Sequence, residues 1–275
     1  MIVLGGSSRQ SLTGARAVLD EKLKGLSAAD CSAISSDLFA VLVALDSSTG
    51  LRRALTDPAR DSASKAELIS DLFKKSVGAA TLAILTAAVS LRWSNPAELA
   101  DAVEQLAVEA EASAANISDS LDQVQSEIFS FSKIVLENQD LRQALSTTQD
   151  SVVRKQELLK SIFGSKFSTF SNALLSHSVE GRRSRSIEKT ISAYSHAVTA
   201  RRNRVNAHVR SSVALSDVQK KKLSDSLTKQ IGQPVHLNIE IDPSVLGGIA
   251  IRFGDEVIDG TIVNRLAQAS QALVG

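Results

Sequence analysis

Residues that could act in catalysis or bind a metal are few and scattered in this 275-residue chain. Cys31 is the single cysteine, so neither an internal disulfide nor a four-cysteine zinc site can form. The four histidines, His177, His196, His208 and His236, lack the spacing of metal ligands. Ser, His and Asp residues occur without a nucleophile motif, and no G-x-x-x-x-G-K-S/T phosphate loop is present. The sequence therefore predicts no catalytic residue, no metal site and no bound cofactor.

Basic side chains cluster in the second half of the chain, as they do in many nucleic-acid-binding proteins. The clusters lie at 182–185, 201–204 and 220–222. Only Tyr194 supplies an aromatic ring nearby, whereas proteins that read RNA generally stack bases on aromatic rings. Solvated helix faces, or complementarity to an acidic partner, explain the charges more simply. We therefore predict no nucleic-acid partner.

Composition and charge indicate a folded, helix-rich chain with two unlike halves. Hydrophobic residues make up 43% and charged residues 22%, and only four prolines interrupt the helices. Residues 1–150 carry 13 Lys and Arg against 20 Asp and Glu, a net charge of −7. Residues 151–275 carry 18 against 10, a net charge of +8. Either the two halves face different partners, or the split serves solubility alone.

The N-terminus and the longest charge-free run both speak against insertion into a bilayer. The N-terminus, Met1–Gly6, has no basic start and no long apolar core, so no signal peptide is predicted. The longest charge-free run lies between Lys75 and Arg92 and is shorter than the roughly 20 apolar residues that span a bilayer. Any association with a membrane is therefore expected to go through a partner.

A repeat with an offset of 90 residues covers much of the chain. Leu51-Arg52-Arg53-Ala54-Leu55 recurs as Leu141-Arg142-Gln143-Ala144-Leu145. The same offset aligns further identical residues without a gap: Phe39 with Phe129, Lys65 with Lys155, Glu67 with Glu157, Leu68 with Leu158, Phe73 with Phe163, Ala83 with Ala173, Val89 with Val179, Arg92 with Arg182 and Glu98 with Glu188. These matches predict a duplicated helical bundle.

Apolar residues at helical spacing predict a series of helices in the first copy. Helices are expected around 8–24 and 31–46, the second of them capped by Asp30. Asp57-Pro58 interrupts the chain before a further helix, which contains Leu68, Ile69, Leu72 and Phe73.

The helices that follow are predicted from Gly and Pro signals. Gly78 precedes a helix through Leu91, and Asn95-Pro96 is expected to start a long one. That helix, near 96–115, is predicted to close the first bundle and open the second. The second copy repeats the scheme from about 118 to 204.

From Val205 the apolar period changes from helical to alternating, as in half-buried strands. Residues 216–231 keep helical spacing, with Ser216 as the cap and Gly232 as the stop. The alternating positions are Val205, Ala207 and Val209 before this helix and Val235, Leu237, Ile239 and Ile241 after it. The predicted order is strand, helix, strand, strand and helix, which is a small α/β unit.

The most distinctive pattern lies near the C-terminus. Asp242-Pro243 ends one strand, and Gly247-Gly248 turns the backbone into the next, at 249–253. Gly254-Asp255 has the form of a two-residue hairpin loop. Asp259-Gly260-Thr261 is then suited to cap a last helix. One face of that helix would carry Ile262, Leu266, Ala269 and Leu273.

This pattern resembles the C-terminal signature of the delta subunit of bacterial F-type ATP synthase, the homologue of the mitochondrial oligomycin-sensitivity-conferring protein. Residues 99–275 match the usual length and domain order of that family, with 138–145 as its NP-x-L-R-x-x-L element. The extra first copy, with 52–58 and 92–96, resembles the longer delta subunits of actinobacterial type. The expected fold is mainly α, with two tandem, duplicated helical bundles followed by a small α/β C-terminal domain. The expected domains are residues 1–98, 99–204 and 205–275.

The resemblance implies a function without catalysis. Members tie the catalytic head of the synthase to its peripheral stalk, so that rotation is coupled to ATP synthesis. The implied partners are the alpha subunit N-termini, the beta subunits and the C-terminus of subunit b. The implied location is the cytoplasmic side of the bacterial cell membrane, reached only through the complex. A generic helical-repeat scaffold would explain the repeat but not the C-terminal signature.

The resemblance also implies where partners bind. In the family, the first and fifth helices of the N-terminal bundle receive an amphipathic helix of the alpha subunit. The charge-free stretches 75–92 and 167–179 hold the fifth position, and they are either the centres of their own bundles or grooves for that helix. The candidate groove residues are Leu82, Leu85 and Val89 in the first copy and Val103, Phe170 and Leu174 in the second. The C-terminal signature residues, expected to shape the backbone that meets subunit b, are Gly247, Gly248, Gly254, Asp255, Asp259 and Gly260.

Overall fold

A computed structural model describes residues 5–147, 149–180, 185–231, 235–242, 245, 248–253 and 256–259. The chain divides into two compact units, Met1–Thr199 and Ala200–Gly275. In the described residues the first unit is helical, and the second contains a small sheet. The predicted fold class, mainly α with a small α/β part, is confirmed.

Eleven helices begin within the described residues of the first unit. The first six are α1 (Gly6–Leu23), α2 (Ala28–Ser47), α3 (Thr49–Thr56), α4 (Ser62–Phe73), α5 (Ala79–Ser90) and α6 (Pro96–Ile117). The next five are α7 (Leu121–Glu137), α8 (Gln139–Ser146), α9 (Val152–Phe163), α10 (Thr169–Ser178) and α11 (Ile187–Val205). Helix α11 continues across the boundary between the two units.

Corresponding helices are separated by the same 90 residues as the sequence repeat. Helix α3 and helix α8 each have eight residues, and both α4 and α9 have twelve, with starts 90 residues apart. The bounds fit a repeat of α1–α6 as α6–α11. The duplication itself stays a prediction, as do the domain limits at 98/99 and 204/205.

The helix starts show which sequence signals decide a boundary. Helix α6 begins at Pro96 as predicted, and the Asn95 side chain accepts hydrogen bonds from the backbone N–H groups of Ala97 and Glu98 at 2.9 and 3.1 Å. The predicted cap of α2 by Asp30 is wrong. Ser27 is the cap, and Asp30 lies three residues later, where its carboxylate accepts from the Ser27 N–H and its own N–H donates to the Ser27 hydroxyl.

Helix α6 is the central helix of the first unit. It packs against α1, α2, α3 and α5 from the preceding chain and against α7 and α10 from the following chain. Nearly every residue from Glu98 to Asn116 is buried. The buried glutamates of α6 have partners: Glu98 accepts from Ser8 and the Gly5 N–H, Glu104 pairs with Arg185, Glu109 pairs with Arg16 and Glu111 interacts with Ser32 and Ser35. Helix α6 thus packs against α1, α2, α3 and α5 on one side of it in the chain and α7 and α10 on the other, whereas its predicted role of closing one bundle and opening a second stays a prediction.

Helix α2 is long and apolar enough to cross a membrane by length and composition alone, although it holds acidic residues. Core helices of soluble proteins pass the same test. Helix α2 packs against α6, and Leu38, Phe39 and Leu45 are almost completely buried. The Phe39 ring stacks on His177 of α10, with centroids 3.9 Å apart and planes 9° from parallel. Helix α2 is thus a core helix that joins the two groups of helices.

Besides the end of α11, the second unit has one helix and four strands in its described residues. These are β1 (Asn206–Ser211), α12 (Asp217–Ile231), β2 (His236–Ile241), β3 (Ile249–Phe253) and β4 (Glu256–Asp259). The strand order is β2-β1-β3-β4, with β1 parallel to β2 and antiparallel to β3, and with β3 antiparallel to β4. The predicted order of strand, helix and two strands is confirmed, and the last predicted helix lies outside the described residues.

The register of the sheet explains the alternation seen in the sequence. Val209 of β1 lies between Ile239 of β2 and Ile251 of β3. Val205, predicted to begin the strand, instead ends α11. Ser216 caps α12 as predicted, because its hydroxyl accepts from the Gln219 N–H at 3.3 Å, and Gly232 lies outside the described residues. The core consists of Ala207, Val209, Leu215, Leu227, Val235 and Ile251.

Candidate partner-binding surfaces

The two charge-free helices, α5 and α10, are each held at the N-terminus by a carboxylate from another helix. Asp37 of α2 accepts hydrogen bonds from the Gly78 N–H at 2.8 Å and from the Thr81 hydroxyl at 2.9 Å. Glu127 of α7 accepts from the Ser168 N–H at 3.0 Å and from the Ser168 hydroxyl at 2.7 Å. Both contacts place a negative charge at a helix N-terminus, where the helix dipole stabilises it.

The carboxyl of Glu127 titrates under two opposing effects. Burial raises its pKa, because an ionised carboxylate is poorly solvated there. Hydrogen bonds from the Ser168 N–H and hydroxyl and from the Gln123 amide favour the ionised form, and the pKa lies below the ordinary value. Glu127 is therefore a charged cap at neutral pH.

Burial separates the six predicted groove residues into two sets. Helix α5 packs against α1, α2, α4 and α6, and α10 packs against α6, α7 and α9. Leu82 of α5 and Phe170 of α10 are partly exposed. The other four have at most 1% of their surface exposed and belong to the interior: Leu85, Val89, Val103 and Leu174. Contact with a partner stays a prediction for all six, and only Leu82 and Phe170 can touch one without a rearrangement of the core.

Helices α1 and α5 approach each other closely near the end of α5. A Cβ atom added at Gly14 of α1 would lie 3.4 Å from a methyl carbon of Leu91. The two helices are in direct contact, as are α6 and α10. The structure thus brings together the helix pairs between which the alpha helix was predicted to bind.

The C-terminal signature is described at two of its six predicted positions. Gly248 has a φ of +84°, a backbone conformation that residues with a Cβ rarely adopt. Asp259 is the last residue of β4 and is paired with Ala250 of β3. At Gly248 the geometry agrees with the expected role in shaping the backbone. Gly247, Gly254, Asp255 and Gly260 lie outside the described residues.

A cavity of about 840 Å³ lies where the 53–65 segment meets the turn between α5 and α6. Four basic side chains line it: Arg53, Arg60, Lys65 and Arg92. Nothing in the hydrophobic pattern of the sequence predicts a cavity here. The available signal was the concentration of basic residues around Asp57-Pro58 and before Asn95-Pro96.

The described part of the chain offers no metal centre. No three His, Cys, Asp or Glu residues within it lie close enough together to hold a metal ion. The single cysteine, Cys31, is buried in α2.

Comparisons with known proteins converge on one family. The family model of the ATP synthase delta (OSCP) subunit matches residues 100–273. The ATP synthase subunit delta of Streptomyces griseus is 39% identical over 272 residues, covering 99% of this chain and 100% of the relative. Those of Streptomyces coelicolor and Thermobifida fusca are also 39% identical, covering 98% of this chain and 97% and 99% of the relatives.

Among solved structures, a chain of the Toxoplasma gondii mitochondrial ATP synthase hexamer is 20% identical. The match covers 61% of this chain and 97% of that one, with a TM-score of 0.32, at which the likeness supports no statement about fold or partners. The family model begins inside α6, so that α1–α5 lie outside it, whereas the bacterial relatives match along almost the whole chain.

Proposed function

Because this chain belongs to the ATP synthase delta (OSCP) family, we propose that it links the catalytic alpha/beta head of the F-type synthase to subunit b on the cytoplasmic side of the membrane. Delta and OSCP subunits are structural and not catalytic, so the prediction that the chain is not an enzyme is confirmed. Membrane association is through the complex. The observation that carries the proposal is the 39% sequence identity to ATP synthase delta subunits along almost the whole chain.

The function requires a durable contact and no chemistry of its own. A rotary motor transmits work only when its head is held against the torque of the central shaft. A contact with a Kd of about 1 nM, equivalent to about 12 kcal/mol, would outlast many turnovers chiefly through a slow off-rate. A rigid helical unit of this kind is suited to that task, because α6 ties the helices on both sides into one packed structure.

The proposed contact with the head is the docking of an amphipathic alpha-subunit helix on α5 or α10. Leu82 and Phe170 are the partly exposed apolar side chains on these two helices that such a helix would cover. Two surfaces of this kind on one chain could hold two alpha N-termini. Tethered sites then gain avidity through effective concentration, without any improvement in either site.

The proposed contact with subunit b lies on the second unit. Exposed apolar side chains in this unit are available to such a contact. Val213, Val218 and Ile241 are 64%, 66% and 57% exposed. The neighbouring Lys220–Lys222 run supplies positive charge for an acidic partner.

Aspartate substitutions at Leu82 and Phe170 test the head contact. Each is expected to weaken binding of a peptide with the alpha N-terminal sequence at its own surface by about tenfold or more, because a charge would be buried against the apolar face of the peptide, and the double variant is expected to lose both sites. Affinity is measured by calorimetry, with melting curves to show that each variant is folded. Leu136→Asp on α7, where the leucine is 59% exposed, is the matched control. Undiminished affinity in the Leu82→Asp/Phe170→Asp double variant would exclude these surfaces.

A further inference from the structure

One lysine in the cavity beside α3 and α4 is buried without a described partner. Lys65 of α4 is only 7% exposed, and in the described residues no hydrogen bond or ion pair reaches its ammonium group. The side chain is buried along its apolar stem, while the ammonium nitrogen keeps access to the cavity. An ammonium group placed in this way is free to bind an anion that enters the cavity.

The other charges in the cavity have the same sign. Arg53, Arg60 and Arg92 line it, are exposed, and have no ion pair within the described part of the chain. The one carboxylate in the lining, Asp57, already accepts a hydrogen bond from the Ala59 N–H at 2.9 Å. The cavity lining therefore holds four cationic side chains and one carboxylate, and that carboxylate already accepts a hydrogen bond within its own turn.

A hydrogen bond anchors one wall of the cavity, and its lining includes further polar groups. The buried indole of Trp93 donates to the Ala88 carbonyl at 2.8 Å, which holds the turn between α5 and α6 in place. The Ser7 and Ser94 hydroxyls lie 2.7 Å apart at the rim. The volume of about 840 Å³ is within the range of small-molecule sites.

The equivalent position in the second group of helices shows what Lys65 lacks. Lys155, 90 residues later on α9, is 5% exposed, and its ammonium donates to the Thr147 carbonyl at 2.5 Å. The residues 90 positions after Arg53 and Arg60 are Gln143 and Asp150. Lys155 and Arg182 match Lys65 and Arg92, so only the charges of Arg53 and Arg60 are particular to the first copy, which lies outside the family model.

We propose that this cavity binds a small anion with a diphosphate group, held by Lys65 at its base and by Arg53, Arg60 and Arg92 around it. Guanidinium groups bind phosphate oxygens in a bidentate manner, and lysine binds phosphate as a point charge. The diphosphate can be free pyrophosphate or part of a nucleotide. Because the matching positions of Arg53 and Arg60 are Gln143 and Asp150, the second copy has only two of these four charges, and we expect it to bind the anion much more weakly.

The test is calorimetric titration of the full chain with pyrophosphate and with ADP, at about 0.15 M ionic strength kept constant with NaCl. We expect pyrophosphate to bind to the wild-type chain and to raise its melting temperature. Lys65→Met keeps the buried apolar stem of the side chain and removes its charge, and it is expected to weaken binding at least tenfold. Arg53→Gln introduces the residue found at position 143 and is expected to weaken binding severalfold while the chain stays folded.

Two controls separate a site from general attraction to positive charge. Lys155→Met and Arg154→Gln, where the arginine is 76% exposed, are expected to bind pyrophosphate like the wild type. Tighter binding of ADP than of pyrophosphate would identify the nucleotide as the source of the diphosphate, and weaker binding would identify the free anion. A wild-type Kd above about 1 mM for both would overturn the proposal. Equal losses in the Lys65 and Lys155 variants would overturn it as well.

Discussion

At the scale of single residues, the side chains that matter most are buried carboxylates whose pKa values shift in opposite directions. Glu127 caps α10 and has a lowered pKa, whereas burial raises the pKa of Glu111 on α6, despite hydrogen bonds from Ser32 and Ser35 and a nearby His177 that lower it. The two groups should therefore make opposite contributions to the pH dependence of folding.

Glu127→Gln is expected to lower the free energy of unfolding by about 1 to 2 kcal/mol at neutral pH, because the charged cap on α10 is lost. The folded-state pKa of Glu127 lies below the ordinary value of 4.5. Its stabilisation is therefore fully present above 4.5 and is lost as pH falls through the folded-state pKa. Urea unfolding from neutral to acid pH should show the gap between wild type and variant closing. Glu137→Gln, at a 61% exposed position of the same helix, is the control, and a gap independent of pH would contradict this role.

Glu111→Gln should have the reverse effect. Since the folded-state pKa of Glu111 lies above the ordinary 4.5, the unfolded chain loses this proton first, and stability falls as pH rises through that window. Glutamine can keep the interactions with Ser32 and Ser35 without a buried charge. The variant should be at least as stable as the wild type at neutral pH and should show a flatter decline with pH. The exposed Glu21→Gln serves as the comparison. If the stability of Glu111→Gln fell with rising pH as steeply as that of the wild type, Glu111 would not be the group responsible for the decline.

At the scale of helices, α6 is the element on which the helical unit depends. It is buried on nearly all sides and contacts helices that precede and follow it. A defect in α6 should therefore be felt in both groups of helices, whereas a defect on an outer helix should stay local.

Leu106→Ala on α6 should cost about 2 to 5 kcal/mol, since the side chain is fully buried and leaves a cavity. Hydrogen exchange should accelerate in α2 and in α7 together. Leu136→Ala, at an exposed position of α7, should change the free energy of unfolding by less than about 0.5 kcal/mol. Faster exchange confined to α2 would show that the two groups of helices unfold independently.

Many of these elements could be predicted from the sequence, because their signals are local. Asn95-Pro96 predicted the start of α6, and Ser216 predicted the start of α12. The short helices α3 and α8 were not predicted, since eight residues give too little periodicity. Asp30 was assigned the wrong position in its capping box, because Ser27 competes for the same N-terminus.

Burial was the property that sequence patterns predicted least well. Phe39 and Phe129 occupy matching positions of the repeat, yet Phe39 stacks on His177 in the core while Phe129 is 69% exposed. Likewise, Leu85 and Val89 share a helix with Leu82 but lie in the interior. Lys65 reads as a solvated helix residue in the sequence and is buried in the fold. Such differences depend on tertiary contacts that no single stretch of sequence contains.

At the scale of the whole molecule, the chain combines a helical unit, which we propose to bind the head, with a sheet-containing unit, which we propose to bind subunit b. The relatives share nearly its full length, so α1–α5 are a regular part of these subunits. Deleting residues 1–95 would remove the helices that cover one side of α6 and expose its apolar residues. Point variants such as Leu82→Asp and Phe170→Asp are therefore the better probes of what each group of helices contributes.

The central claim is that this chain joins the synthase head to subunit b, and co-purification tests it most directly. A tag on this chain is used to isolate its complexes from detergent-solubilised membranes, and the bound proteins are identified by mass spectrometry. We predict recovery of the alpha, beta and b subunits together. Recovery of other proteins without alpha, beta and b would contradict the proposed function and favour a helical scaffold for other partners.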